Sequence, residues 1–191
     1  NARNMALINT PEEYDWIYPI DADDRIETKD WNSFWEKVAE SGRRWVASNR
    51  ETIDGKRHPF AYIDRDKFYS QWKFISDAAN KKGIPHANSI AYRRDFLFRL
   101  GAWPGLTQHE DLLLSFYASS KEPGLWFTER ITRYRLWEKQ MIQGDKYARL
   151  RMENFDLIYK IINARRTYEG LDPFEYELTT GSKSHWVSSP L

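Results

Sequence analysis

The chain has 191 residues, 41% of them hydrophobic and 16% aromatic, which is enough for a sizeable core, with one domain the default by length and two small ones the alternative. Twenty-nine Lys and Arg against 28 Asp and Glu leave a net charge of +1, so no broad electrostatic pull toward nucleic acid or an anionic membrane is expected. Cys is absent, which excludes disulfides and thiolate metal sites, and no apolar run of about 18 residues reads as a membrane span.

Asn1 to Thr10 reads as the end of a helix with Met5, Ala6 and Leu7 apolar, and Pro11-Glu12-Glu13 breaks it. Trp16, Ile17, Tyr18 and Ile20 then form an aromatic and β-branched run suited to a buried strand. The run stops at Asp21, Asp23 and Asp24, three carboxylates in four positions. Like charges this close repel, and a hard divalent cation, which prefers oxygen ligands, is their natural partner. A plain turn or helix start uses Asp as well, because its side chain bonds the local backbone. An EF-hand is excluded, since its Gly and Glu positions hold Ile26 and Asn32.

Thr28 or Asp30 is placed to cap a helix whose Trp31, Phe34, Trp35, Val38 and Ala39 share one face, and Gly42 ends it. Arg44 to Asn49 predicts a second strand, and Asp54-Gly55 a turn. Tyr69, Trp72, Ile75 and Ala79 have helical spacing between Asp64 and Lys82, with Lys81-Lys82-Gly83 as the stop. Ile84 to Tyr92 predicts a strand or extended segment, and Arg94 to Leu100 a short helix closed by Gly101. Gly101-Ala102-Trp103-Pro104-Gly105 is a rigid loop, followed by a second acidic group at Glu110-Asp111. Leu112 to Ser119 looks helical, and Leu125 to Arg135 alternates as a strand.

Gly144 or Asp145 opens a long helix with Leu150, Leu157, Ile158, Ile161 and Ile162 inward. Thr179 to Leu191, rich in Ser, Thr and Gly, reads as loop or tail, and no internal repeat is present. Helices alternating with strands predict α/β layers on a parallel or mixed sheet. Pro19 removes a ladder donor and fits only near its strand's end.

The order of these motifs resembles the family 2 nucleotide-sugar glycosyltransferases, which have the GT-A fold. The matching pieces are Ala2-Arg3-Asn4 with Ala6-Leu7, Asp21-Ala22-Asp23-Asp24 after its strand, and Ile90-Ala91-Tyr92-Arg93-Arg94. Leu100-Gly101-Ala102-Trp103-Pro104, Glu110-Asp111-Leu112-Leu113-Leu114 and Tyr134-Arg135 complete the series, over roughly residues 1 to 137. The resemblance implies an α/β, Rossmann-like GT-A mixed sheet flanked by helices, with a C-terminal helical extension. Residues 1–140 would be the C-terminal portion of a GT-A domain and 141–191 the helical extension and tail. The strand and helix unit with which members of the family begin has no counterpart before Asn1, so base specificity is not legible here. Such a piece by itself is expected to be poorly stable.

The resemblance further implies transfer of a sugar from a nucleotide-diphosphate donor, a UDP-sugar first, to an acceptor hydroxyl with inversion. The acceptor, whether saccharide, lipid, protein or nucleic acid, is left open. Asp23 and Asp24 match the end of the metal motif and would hold Mn²⁺ or Mg²⁺, with Asp21 nearer the ribose or sugar. Asp111 takes the place of the general base, kept ionised at a helix start, with Glu110 orienting the acceptor. Arg3 and Arg135 are candidate diphosphate contacts, since a guanidinium forks onto phosphate oxygens. Trp103 is a candidate stacking platform, His109 a second candidate base, and Arg93 and Arg94 are candidates on the sugar side. A non-catalytic nucleotide-sugar or carbohydrate binding domain is the alternative, and a two-cation phosphoryl hydrolase or nuclease ranks third. A cytoplasmic protein is the simplest expectation.

Overall fold

Trp45, Val46 and Ala47 face alternate sides of one strand, and that alternation builds the layers. The structure, a computed structural model, describes residues 2–57, 61–80, 82–106, 108–135 and 145–175. Helix α1 (Ala2–Asn9) is followed by short strands β1 (Trp16–Ile17) and β2 (Arg25–Ile26) and helix α2 (Trp31–Ser41). Strands β3 (Trp45–Thr52) and β4 (Lys67–Tyr69), helix α3 (Lys73–Ala79) and strand β5 (Ile90–Arg93) come next. Helices α4 (Arg94–Arg99) and α5 (Glu110–Lys121), strand β6 (Gly124–Tyr134) and helix α6 (Asp145–Tyr168) complete the order.

The sheet is mixed, in the order β1-β5-β3-β6-β2, with β4 also on β6. β3 and β6 are parallel, and every other pair is antiparallel. All eight residues of β3 are buried, as a strand covered on both faces requires. Trp45, Ala47, Ile90, Tyr92 and Trp126 point to the face covered by α3, α5 and α6. Val46, Ala91 and Phe127 point to the opposite face, under Phe34 and Val38 of α2. Each large apolar side chain buried in this way stabilises the fold by about 1.5–3 kcal/mol. Ile158, Tyr159 and Ile162 of α6 belong to the same core as the sheet.

Several expected boundaries move for physical reasons. The segment expected to be one helix from Asp64 to Lys82 divides, because Tyr69 pairs with Gly124 as β4 and packs on Trp45 and Trp126. The helix begins only after Trp72, whose φ of 69° interrupts any regular element there. Of the expected strand Ile84 to Tyr92, residues from Ile90 pair, while Ala87–Ser89 forms one tight helical turn. The first strand is two residues long and half-buried, at the sheet's edge. Asp30 stands at the N-cap of α2, but its carboxylate bonds Arg130 instead of the helix. Ala39 and Leu157, both expected inward, are exposed. The expected tail from Thr179 and the inward side chain of Leu150 lie outside the described residues.

Gly124 lies so close to the Trp45 indole that a Cβ there would overlap the ring, and Trp45 is further held by its Nε1 donating to the Glu122 carbonyl at 2.9 Å. Gly124→Ala is therefore expected to lower stability by about 1–3 kcal/mol, the usual result of overpacking a core. Gly105→Ala, facing open space, is expected to change it by less than about 0.5 kcal/mol. Urea unfolding followed by Trp fluorescence checks both.

Candidate functional site

β1 is antiparallel to β5, which is antiparallel to β3, so β1, β3 and β6 all point the same way. Their carboxyl ends, and the turn entering β5, therefore share one rim of the sheet, where open α/β sheets bind ligands. The acidic turn after β1, Arg50 and Thr52 of β3, Asn88 before β5 and Tyr134-Arg135 of β6 all lie at this rim. Tyr18 anchors the acidic turn, because its hydroxyl bonds Ser48 at 2.9 Å and Thr132 at 2.6 Å.

Arg3 of α1 is the hub of the rim. Its Nη2 donates to Asp21 at 2.8 Å and to Asn88 Oδ1 at 3.2 Å, and its Nη1 donates to Glu110 at 2.8 Å. Asp111 Oδ2 stands 3.8 Å from the same Nη1. Asn88 also donates from Nδ2 to the other oxygen of Asp21. Two acidic groups 89 or more residues apart in sequence thus meet across one guanidinium, and each keeps partial access to solvent. The α1 helix is held in place by Asn4, which exchanges two 3.0 Å bonds with the backbone of Trp103.

A second arginine sits beneath the acidic turn. Arg50 is fully buried, donates from Nη2 to Asp24 at 3.1 Å, and lies 3.6 Å from the Tyr134 ring centroid. The other oxygen of Asp24 accepts the backbone N–H of Arg135 at 3.2 Å. Arg135 Nε in turn donates to the Asp23 carbonyl at 3.1 Å, so the end of β6 is laced to the turn.

The predicted residues divide. Arg3, Asp21, Asp23, Glu110, Asp111 and Arg135 are gathered at the rim. Asp24, expected to ligate a metal, is at the rim with its carboxylate buried and bonded on both oxygens, by Arg50 and by the Arg135 N–H. Trp103 is 4% exposed and packed in the core, which leaves no ring face for stacking on a sugar. Arg93 and Arg94 are at the opposite end of β5, beside Glu12, Asp15 and Asp95, and so off the site. The His109 ring packs 4.8 Å from that of Phe155. Asn88 and Arg50 escaped sequence reading, although each is polar at a strand end beside an apolar run, the pattern that singled out Asp21.

Burial raises the Asp111 carboxyl above the usual aspartate range; Arg3 opposes this, while Asp21 adds to it. The expectation that the helix start lowers its proton affinity is therefore reversed. Asp111 lies inside the first turn of α5, after His109 at the cap, and desolvation outweighs the helix end. Burial likewise raises Asp24 and lowers Arg50, each opposed by the other. Among the described residues no three His, Cys, Asp or Glu side chains form a closed metal cage. The donor set fits a cation held by one or two carboxylates with substrate phosphates, as Mg²⁺ commonly is.

No family model and no curated protein matches the sequence. Solved structures do. S. aureus TarS 1–349 in complex with UDP-GlcNAc has a TM-score of 0.57 and 13% identity, covering 86% of this chain and 52% of that one. The same protein with UDP gives 0.54 and 14%, covering 86% and 50%. TarS 1–349 alone gives 0.54 and 13%, covering 87% and 50%. The chain spans about half the length of these relatives. At this identity the likeness shows a shared fold, and the expected GT-A-like mixed sheet flanked by helices is the fold observed. Among the described residues no helix is long and apolar enough to cross a membrane.

A carboxyl raised on folding favours the fold while protonated, and that contribution is lost as pH rises through its folded value. Ionised Asp111 is thus a liability at neutral pH. Asp111→Asn is expected to raise Tm at pH 7 by up to roughly 4 °C, about 1 kcal/mol in a chain of this size. The gain should shrink as pH falls through the carboxyl's range, which thermal melts between pH 4 and 8 would show.

Proposed function

We propose that this chain carries the transfer machinery of a nucleotide-sugar glycosyltransferase, moving a sugar from a nucleotide-diphosphate donor, a UDP-sugar first, to an acceptor hydroxyl with inversion. The observation that carries the reading is the convergence of Asp21, Glu110 and Asp111 on Arg3 at the carboxyl rim. The fold likeness to a protein solved with UDP-GlcNAc supports the donor class.

In this reading Asp111 is the general base. The acceptor hydroxyl gives its proton to the Asp111 carboxylate while its oxygen bonds the anomeric carbon. The sugar–phosphate bond breaks, and its electron pair leaves on the nucleotide diphosphate. Glu110 orients the acceptor, and Arg3 holds the two carboxylates at fixed separation from Asp21. Asp21, aligned by Asn88 and Arg3, receives a hydroxyl of the ribose or sugar. Arg135 offers its guanidinium to the diphosphate. Mn²⁺ or Mg²⁺, when bound, supplies Lewis-acid neutralisation of the leaving group. Asp23, the exposed member of the acidic turn, would hold it together with donor phosphates.

Asp111 must be ionised to accept a proton, so its raised pKa sets the acid limb of the kcat profile above the ordinary aspartate range. Asp111→Asn is expected to lower release of the nucleotide diphosphate by about 10²–10⁴-fold. Calorimetric binding of UDP with Mn²⁺ should be retained. Full turnover in that variant rejects Asp111 as the base. Binding of UDP-sugars by the wild type with no turnover on any acceptor assigns the alternative, a non-catalytic nucleotide-sugar binding domain.

A further inference from the structure

Arg50 is the one fully buried arginine among the described residues, and most of its hydrogen-bonding capacity goes unused. Its Nη2 meets Asp24, whereas Nε and Nη1 are buried with no partner. A guanidinium carries five N–H donors, and burying it so sparsely satisfied is costly in a core. Packing alone does not need the Arg50–Asp24 pair, since well-packed apolar side chains in place of both partners are often no less stable. Its position gives the charge a use. Arg50 lies near the carboxyl end of β3, bonded to the turn that carries Asp21, Asp23 and Asp24, with the Tyr134 ring against its face. The Asp24 side chain is fully buried, while Asp23, its neighbour, is exposed.

We propose that Arg50 is a positioning residue that withholds Asp24 from the cation site and so leaves the cation and diphosphate to Asp23. The inference rests on the cation-assisted donor binding argued above. Arg50 draws the Asp24 carboxylate down into the sheet, and the Arg135 N–H takes its second oxygen. Both Asp24 oxygens are thereby engaged, while the turn that exposes Asp23 is anchored separately by Tyr18 on Ser48 and Thr132. The cation is then held by few protein oxygens and depends on the donor's phosphates, so it arrives and leaves with nucleotide. Without the Arg50 charge, Asp24 would be released to the cation, which would bind more tightly and without nucleotide.

The test is Mn²⁺ binding to the full chain, read from loss of the free-ion electron paramagnetic resonance signal, with and without UDP. Far-ultraviolet circular dichroism confirms the fold of each variant. In the wild type, binding is expected to be at least tenfold tighter with UDP than without. Asp23→Asn should weaken binding with UDP at least tenfold. The double variant Arg50→Met with Asp24→Asn removes both charges and leaves no buried ion unpaired, and should bind Mn²⁺ with UDP within threefold of wild type. Arg50→Met alone should bind Mn²⁺ without UDP at least tenfold more tightly than wild type, and Arg50→Lys should restore wild-type behaviour.

A tenfold loss of Mn²⁺ binding in the double variant would show Asp24 to be a ligand and overturn the inference alone. So would an Arg50→Met chain that folds and binds as wild type does. If Arg50→Met does not fold, the double variant still decides. Failure of the wild type to bind Mn²⁺ with UDP at all would overturn the functional reading and this inference with it.

Discussion

Five carboxylates crowd one rim of this sheet, and two arginines make that crowding tolerable. Asp21, Glu110 and Asp111 surround Arg3, and Asp24 is bound to Arg50. The two cations serve different ends. Arg3 is only partly buried and joins three separate segments, so it sets the distance between the halves of the site. Arg50 is fully enclosed and acts on a single carboxylate, so it sets which member of the acidic turn faces outward. Among side chains of this kind, arginine suits both tasks, because it stays charged when buried and bonds in a fixed fork.

The rim itself is a product of strand direction. Parallel pairing of β3 with β6 puts both carboxyl ends on one side, and two antiparallel steps through β5 bring β1 to the same side. Parallel strands are covered on both faces, which is why β3 is buried along its whole length. That burial gives the rim a rigid floor. Tyr18, Ser48 and Thr132 then lock the acidic turn onto the ends of β3 and β6. Burial in the same enclosure raises the Asp111 carboxyl above the usual aspartate range. An ionised carboxylate held in this way diminishes the stability of its own fold.

The resemblance drawn from motif order located the acidic turn, the second acidic pair and the arginine after the last strand, all of which meet at the rim. It misplaced Trp103, Arg93 and Arg94, for two separate reasons. Trp103 lies in a Gly- and Pro-flanked stretch from Gly101 to Gly105, which looks like an exposed loop, but Asn4 clamps its backbone and the ring turns into the core. Arg93 and Arg94 close β5, and β5 runs away from the rim, a direction that no local pattern encodes.

Read alone, the chain determined the elements whose signal is local. The run from Arg44 to Asn49 marked β3, alternation marked β6, the spacing of Phe34 and Val38 marked α2, and the glycines at 42 and 101 marked helix ends at positive φ. It also placed carboxylates where strands stop. Tertiary structure alone decided which carboxylates are available, because availability depends on partners supplied by other segments. Asp24 looks the same as Asp23 in sequence, but Arg50 and the Arg135 N–H, supplied by β3 and the end of β6, engage the Asp24 carboxylate in a buried position while Asp23 stays exposed. Coulombic attraction and burial act through space between residues remote along the chain, and a linear pattern carries no record of either.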